Sequence, residues 1–240
     1  MAGLSQEERM IRVVAVVAII ALGFWVISGS RAGRDPVPAL VRQLAGHPEY
    51  SIIVDDVNDG FLRNSVTFTS SYRITDPIGE NPDAGEAAQF EERLDTFSIS
   101  DRLATRYEQA IGMVVASKTA DGVLTGYAQS YPPYYQHVGR SQYGHFGPGG
   151  FWIFYGQYAF MSRALGGHRI GRGDYNTYVG MRNRGQSYYG PQTGGRPTFG
   201  ANGTATARTR PSFSQRYQGK QSRFQARARS RAGSARSLGK

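Results

Sequence analysis

Residues 50–75 read YSIIVDDVNDGFLRNSVTFTSSYRIT, and the fold class turns on them. Tyr50–Val57 and Phe61–Thr75 are rich in β-branched and aromatic residues, which suit a pleated, half-buried surface. Between them Asn58-Asp59-Gly60 has turn chemistry, because short polar side chains and glycine tolerate the required backbone angles. In the second run Val66, Phe68, Ser70 and Tyr72 share one face, while Thr67, Thr69, Ser71 and Arg73 share the other. This period of two predicts a strand with one wet face, as in an antiparallel sheet.

On the N-terminal side, Asp35 and Pro36 make a cap and first-turn pair for a short helix over Val37–Ala45, with Gly46 to end it. On the C-terminal side, Asp76–Glu86 (DPIGENPDAGE) is a loop of Pro, Gly and acids. A helix over Ala84–Leu94 with Asp83 as its cap is expected next, then a second helix from about Ser100. Ile111–Lys118 and Val123–Gln129 read as strands joined through Ala120-Asp121-Gly122, a hairpin signal. Helices and hairpins without strand–helix–strand spacing predict an α+β domain over residues 36–167, built on a small antiparallel sheet with helices.

From Tyr127 to Tyr189 the composition changes, with 11 of the 15 tyrosines in that interval. Gly150–Gly167 reads GFWIFYGQYAFMSRALGG, and helical spacing sets Phe151, Phe154, Tyr158, Met161 and Leu165 in one stripe. A helix over 151–165 is expected, either closing the core or lying in a membrane interface through Trp152, Phe154 and Tyr155.

Residues 13–29 (VVAVVAIIALGFWVISG) form a run of 17 without a charge, at the short end of what spans a bilayer. Residues 1–12 precede it as an N-terminal tail. Trp25 near its end suits the lipid–water boundary. A transmembrane anchor is expected; the rival reading is a cleaved signal peptide, with Arg9 and Arg12 ahead of the run and Ser28-Gly29-Ser30 as the small residues of a cleavage site. Arg31, Arg34 and Arg42 on the other flank leave no clear charge asymmetry, and a small N-terminal part before a large body points to an extracytoplasmic body.

The net charge of +10 is unevenly placed: residues 171–240 hold 14 Lys and Arg against Asp174 alone, whereas residues 1–170 hold 14 basic and 17 acidic groups. The apolar residues of 171–240 are too few to repay ~1–2 kcal/mol of backbone entropy per residue, so an Arg/Gly/Ser/Tyr-rich disordered tail is expected. Its arginines Arg182, Arg184, Arg208, Arg210, Arg216, Arg223, Arg227, Arg229 and Arg231 are candidates for binding a polyanion, whether nucleic acid, acidic lipid or an envelope polymer. Tyr188, Tyr189, Phe213, Tyr217 and Phe224 could add stacking. A solvated spacer is the bland alternative.

The absence of cysteine excludes disulfides, thiolate metal sites and a cysteine nucleophile. His47, His137, His145 and His168 lack metal-site spacing. Asp55, Asp56, Asp59 and Gly60 fail as a calcium loop, since Val57 would stand where an oxygen ligand is required. No nucleophile elbow, phosphate loop or dinucleotide glycine pattern is present, and no catalytic residue, metal or cofactor is called for. The layout of anchor, small α+β body, Tyr/Gly-rich region and Arg/Ser/Gly tail looks like that of a bacterial envelope protein, and 25 arginines to 3 lysines suit a GC-rich genome. The expected function is therefore a single-pass, membrane-anchored, non-enzymatic protein, partnered by the lipid bilayer and a polyanion. Its body would be a binding or assembly module, open to protein partners. The alternatives are a membrane-tethered hydrolase of an envelope polymer, using carboxylates among Asp55, Asp56, Asp59, Asp95 and Glu108, and a secreted soluble protein if the N-terminal run is cleaved.

Overall fold

The computed structural model describes residues 33–59, 63–74 and 88–237, with side chains through residue 229. The run 13–29 with Trp25, the acidic loop with Asp83, and the Arg231 side chain lie outside the described residues. At the start of α1 (Val37–Leu44), Asp35 Oδ1 accepts the Val37 amide at 3.0 Å, and Pro36 is set for the first turn. Strands β1 (Tyr50–Asp59) and β2 (Asn64–Arg73) pair antiparallel from Tyr50↔Tyr72 to Asp59↔Asn64. β3 (Phe90–Ile99) continues on the far side of β2 in unbroken register. Helix α2 (Asp101–Gln109) packs across β1 and β2. β4 (Val114–Lys118) then pairs with β1, and β5 (Leu124–Thr125) with β4. The order is β3-β2-β1-β4-β5 with every pairing antiparallel, so the protein is α+β.

One expected helix is corrected here. Residues 90–94 of the anticipated Ala84–Leu94 helix belong to β3 instead. Asp95, Phe97 and Ile99 point inward while Thr96 and Ser98 face solvent, so the period that decides this segment is two.

β1 carries a bulge: Val54 opposes Phe68 and Asp56 opposes Thr67, leaving Asp55 as the extra residue. The insertion keeps Val57 on the same buried face as Tyr50, Ile52 and Val54. It also re-aims Asp55, as bulges do. That face packs on Leu40 and Leu44 of α1 and on Leu103 and Tyr107 of α2.

The opposite face is covered by the tyrosine-rich segment, so β2 has a wet face only around Thr67 and Thr69, while Ser71 and Arg73 are buried. Ile53, Met113 and Val114 of the sheet meet Tyr131, Tyr134, Tyr135, Tyr143 and Tyr158 there. The expected helix 151–165 is not formed. Trp152–Phe154 is a strand, β7, paired with β6 (Gly144–Phe146), and helix is confined to a 3-10 turn, Gly156–Tyr158, and α3 (Ala159–Ala164). Gly144 decides this, because a Cβ there would sit 2.2 Å from the Ile153 carbonyl oxygen, so only glycine lets the two strands close. Gly150, at φ +71°, turns the chain between them.

Residues 171–237 are also corrected, from disorder to helices and a hairpin, packed as far as Tyr217. They form α4 (Arg172–Asn183), the hairpin β8 (Gln192–Thr193) and β9 (Arg196–Pro197), α5 (Thr204–Thr209) and α6 (Pro211–Ser237). Tyr178, Tyr188, Phe199 and Ala205 join the tyrosine-rich core, and Phe213 and Tyr217 join the α1/α2 core. Counting apolar residues within the segment missed that the body supplies the other half of each contact. The packed body therefore continues past residue 167 to Tyr217.

Glu49, just before β1, ties the aromatic covering to the sheet and is 0% exposed. Its carboxylate accepts from Tyr143 Oη at 2.8 Å and Gln136 Nε2 at 3.2 Å. His137 Nε2 lies 3.2 Å away and Arg73 Nε 3.9 Å away. Burial works to raise the carboxyl, but His137, Tyr143 and Arg73 outweigh it and hold Glu49 below its ordinary value.

Candidate polyanion interface

Helix α6 has 27 residues, about 40 Å at 1.5 Å each, and its two halves differ. In the first, Phe213, Ser214 and Tyr217 are buried, with the two rings stacked at 5.6 Å, one helical turn apart. Gln109 Nε2 of α2 donates to Tyr217 Oη at 3.1 Å. Three cations clamp this half to the sheet. Just before the helix, Arg210 donates to the Asp55 carbonyl at 2.8 Å and to Asp55 Oδ1 at 2.9 Å. Arg216 meets Asp56 Oδ1 at 2.6 Å, and Lys220 meets Glu108 Oε1 at 2.7 Å and Asp59 Oδ2 at 3.3 Å. Burial works to lower the Lys220 ammonium, but Glu108 and Asp59 outweigh it and hold it above its ordinary value.

In the second half every residue from 221 to 229 is exposed, including Arg223, Arg227 and Arg229, and Phe224 is 74% exposed. Arg223 and Arg227 stand one turn apart, and like charges at that spacing oppose the helix by about 0.2–0.5 kcal/mol per pair. Arg231 continues the series in sequence. A solvated helix of this composition gains from any anion that neutralises it.

The nine candidate arginines therefore separate. Arg210 and Arg216 hold α6 to the body. Arg182 reaches Tyr178 Oη at 3.4 Å from within α4, and Arg184 donates to Gln186 and to the Met181 sulfur. Arg208 is exposed on α5. Of the aromatic candidates Tyr188, Phe213 and Tyr217 are core residues, leaving Tyr189 and Phe224 at the surface. Nothing in the sequence marks which arginines are anchored, because Asp55 and Arg210 lie 155 residues apart.

The carboxylates considered for hydrolysis have partners of their own: Asp55, Asp56, Asp59 and Glu108 meet the α6 cations, and Asp95 pairs with Arg93 Nε at 2.8 Å. His168 Nε2 and Tyr135 Oη both reach Asp174 Oδ2, at 2.8 and 2.7 Å, and Tyr188 Oη donates to Asp174 Oδ1. Among the described residues no group of three or more His, Asp and Glu could hold a metal ion.

At the β6–β7 hairpin, Trp152, Phe154 and Tyr155 are half-buried against the aromatic core, while Phe151 and Ile153 turn outward. Arg169 lies over Phe151 at 4.2 Å and Arg172 over Phe146 at 4.3 Å. The helical reading of this stretch hid the outward pair, which strand alternation identifies. Among the described residues no helix is long and apolar enough to cross a membrane. No protein-family model matches the sequence, and neither a curated protein nor a solved structure is detectably similar to it.

Proposed function

We propose that this chain is a membrane-anchored, non-enzymatic envelope protein whose α+β body displays an arginine-rich helix that binds a polyanion. The anchor is the uncharged run 13–29, and the body and helix stand on the extracytoplasmic side. The observation that carries the reading is the second half of α6, solvated from 221 to 229 and bearing arginine as its only charged residue type. The β1 acids Asp55, Asp56 and Asp59 are engaged by Arg210, Arg216 and Lys220, and the contact set is Arg223, Arg227, Arg229 and Arg231. The affinity is mostly Coulombic and driven by counterion release, with Phe224 available to stack.

A pair of truncations tests this. A chain ending at Lys220 keeps its fold but loses salt-sensitive binding to a single-stranded oligonucleotide and to phosphatidylglycerol vesicles. A chain ending at Gly203 also loses Ala205, Phe213 and Tyr217 from the two cores and unfolds at lower temperature. Undiminished binding by the Lys220 truncation contradicts the assignment.

A further inference from the structure

We propose that β3 is the interface through which two copies of this chain pair, antiparallel, into one ten-stranded sheet. β3 is ten residues long, without a bulge, and bonded to β2 along one side. Among the described residues no hydrogen bond reaches the backbone on its other side. Such an edge is a template for another strand unless something blocks it. The two residues best placed to block it are drawn back: Glu91 accepts from Tyr72 Oη at 2.9 Å and Glu92 from Tyr134 Oη at 2.7 Å. The centre of the strand is open, with Leu94 53% exposed and Thr96 and Ser98 in solvent.

Charge selects a second copy as the occupant, and a single register. A two-fold axis normal to the sheet requires that facing residues come from the same face. With the axis through Leu94, Leu94 meets its own copy, and Arg93, which bonds Asp95 of its own chain at 2.8 Å, faces Asp95 of the other chain, so the two ion pairs join into one network of four alternating charges. Moving the axis by one residue sets Arg93 against Arg93, or Asp95 against Asp95, and like charges directly opposite are destabilising. In the Leu94 register Glu92 faces Thr96, and the overlap covers the strand. The same rotation puts both copies' α1/α2 layers on one side. Edge pairing alone buries modest area, so the dimer is concentration-dependent. On a membrane surface the shared plane raises the effective concentration.

The lack of native cysteine allows a direct test on the full chain in detergent. Facing Cα atoms in an antiparallel pair lie about 4.5–5.5 Å apart, within disulfide range, whereas the two Thr96 residues stand about 14 Å apart in this register. Under mild oxidation Leu94→Cys forms a covalent dimer. Thr96→Cys stays monomeric, as does Leu124→Cys, a control on β5 that is more exposed than Leu94. An equimolar mixture of Glu92→Cys and Thr96→Cys chains cross-links. If Leu94→Cys dimerises no more than Leu124→Cys, or if Thr96→Cys dimerises equally well, the pairing is refuted. For the unaltered chain, sedimentation velocity reads a reversible doubling of the 26.3 kDa mass with rising concentration, and a constant monomer mass counts against it.

Discussion

At the Glu49 carboxylate, burial and charge compensation oppose one another, and compensation wins because two hydrogen-bond donors and two basic side chains converge on it. A carboxyl held below its ordinary 4.5 adds stability that is present above about pH 4.5 and is lost as the pH falls through the folded value. Glu49→Gln removes the carboxylate charge on which Arg73, His137 and Tyr143 converge in the interior. The expected cost is about 3–5 kcal/mol, which lowers the thermal midpoint by roughly 10 °C at neutral pH. The gap to the parent protein should narrow below pH 4.5, and thermal melts across pH 3–7 read both effects. An unchanged midpoint at neutral pH would deny the carboxylate its role. Asp55 shows the same scale at work on α6, because the single bulge residue offers both its carbonyl and its carboxylate to Arg210.

Among the elements, Asn58 and Asp59, read as turn residues, end β1 and pair with Ser65 and Asn64. The antiparallel pairing of β1 with β2 and the start of α1 were nonetheless legible in sequence because their signals are local. So was the turn at Thr119–Val123, where the Thr119 amide donates to the Val123 carbonyl at 3.0 Å and Gly122 takes φ +79°. The β6–β7 hairpin was not, because a run as aromatic as 151–165 satisfies helical spacing and alternation at once. The steric fact that separates them is the closeness of Gly144 to Ile153, a pairing no single segment displays. The ordering of 171–217 was hidden for a related reason: Tyr217 bonds Gln109, 108 residues earlier, and composition carries no record of such partners. The arginines of α6 were legible as a polyanion candidate, but the division into a clamped and a solvated half depends on where the acids of β1 and α2 fall in space. In the solvated half Ser222 Oγ and Arg223 Nε donate back to the Gly219 carbonyl, at 3.1 and 3.0 Å, and the helix stands against its own charge repulsion.

Across the whole molecule, the tyrosines set the alkaline limit. Burial, chiefly, raises Tyr131, Tyr134, Tyr135 and Tyr143 above their ordinary value, and Tyr178 is pushed up to about 12. A group raised in the folded state adds stability that is intact below its unfolded value, about 10, and disappears as the pH climbs through the folded one. Tyrosinate absorbance at 295 nm from the buried set should therefore appear only above pH 10, together with loss of near-ultraviolet dichroism. A single non-cooperative titration would mean that the aromatic layer is open to solvent. On the opposite face of the sheet the α1/α2 core mounts α6 through Phe213 and Tyr217, and pairing through β3 would present two such helices to one polymer.

The central claim, that the solvated half of α6 binds polyanions, is tested most directly by a salt titration. The full chain and an Arg223→Gln/Arg227→Gln/Arg229→Gln variant would each be titrated with a labelled single-stranded oligonucleotide across a range of salt concentrations. For the unaltered chain, the logarithm of the association constant should fall linearly with the logarithm of the salt concentration. In the variant that slope should be shallower by about 2, at roughly 0.7 for each arginine removed, with the melting temperature unchanged. Equal slopes for the two proteins, or binding indifferent to salt, would contradict it.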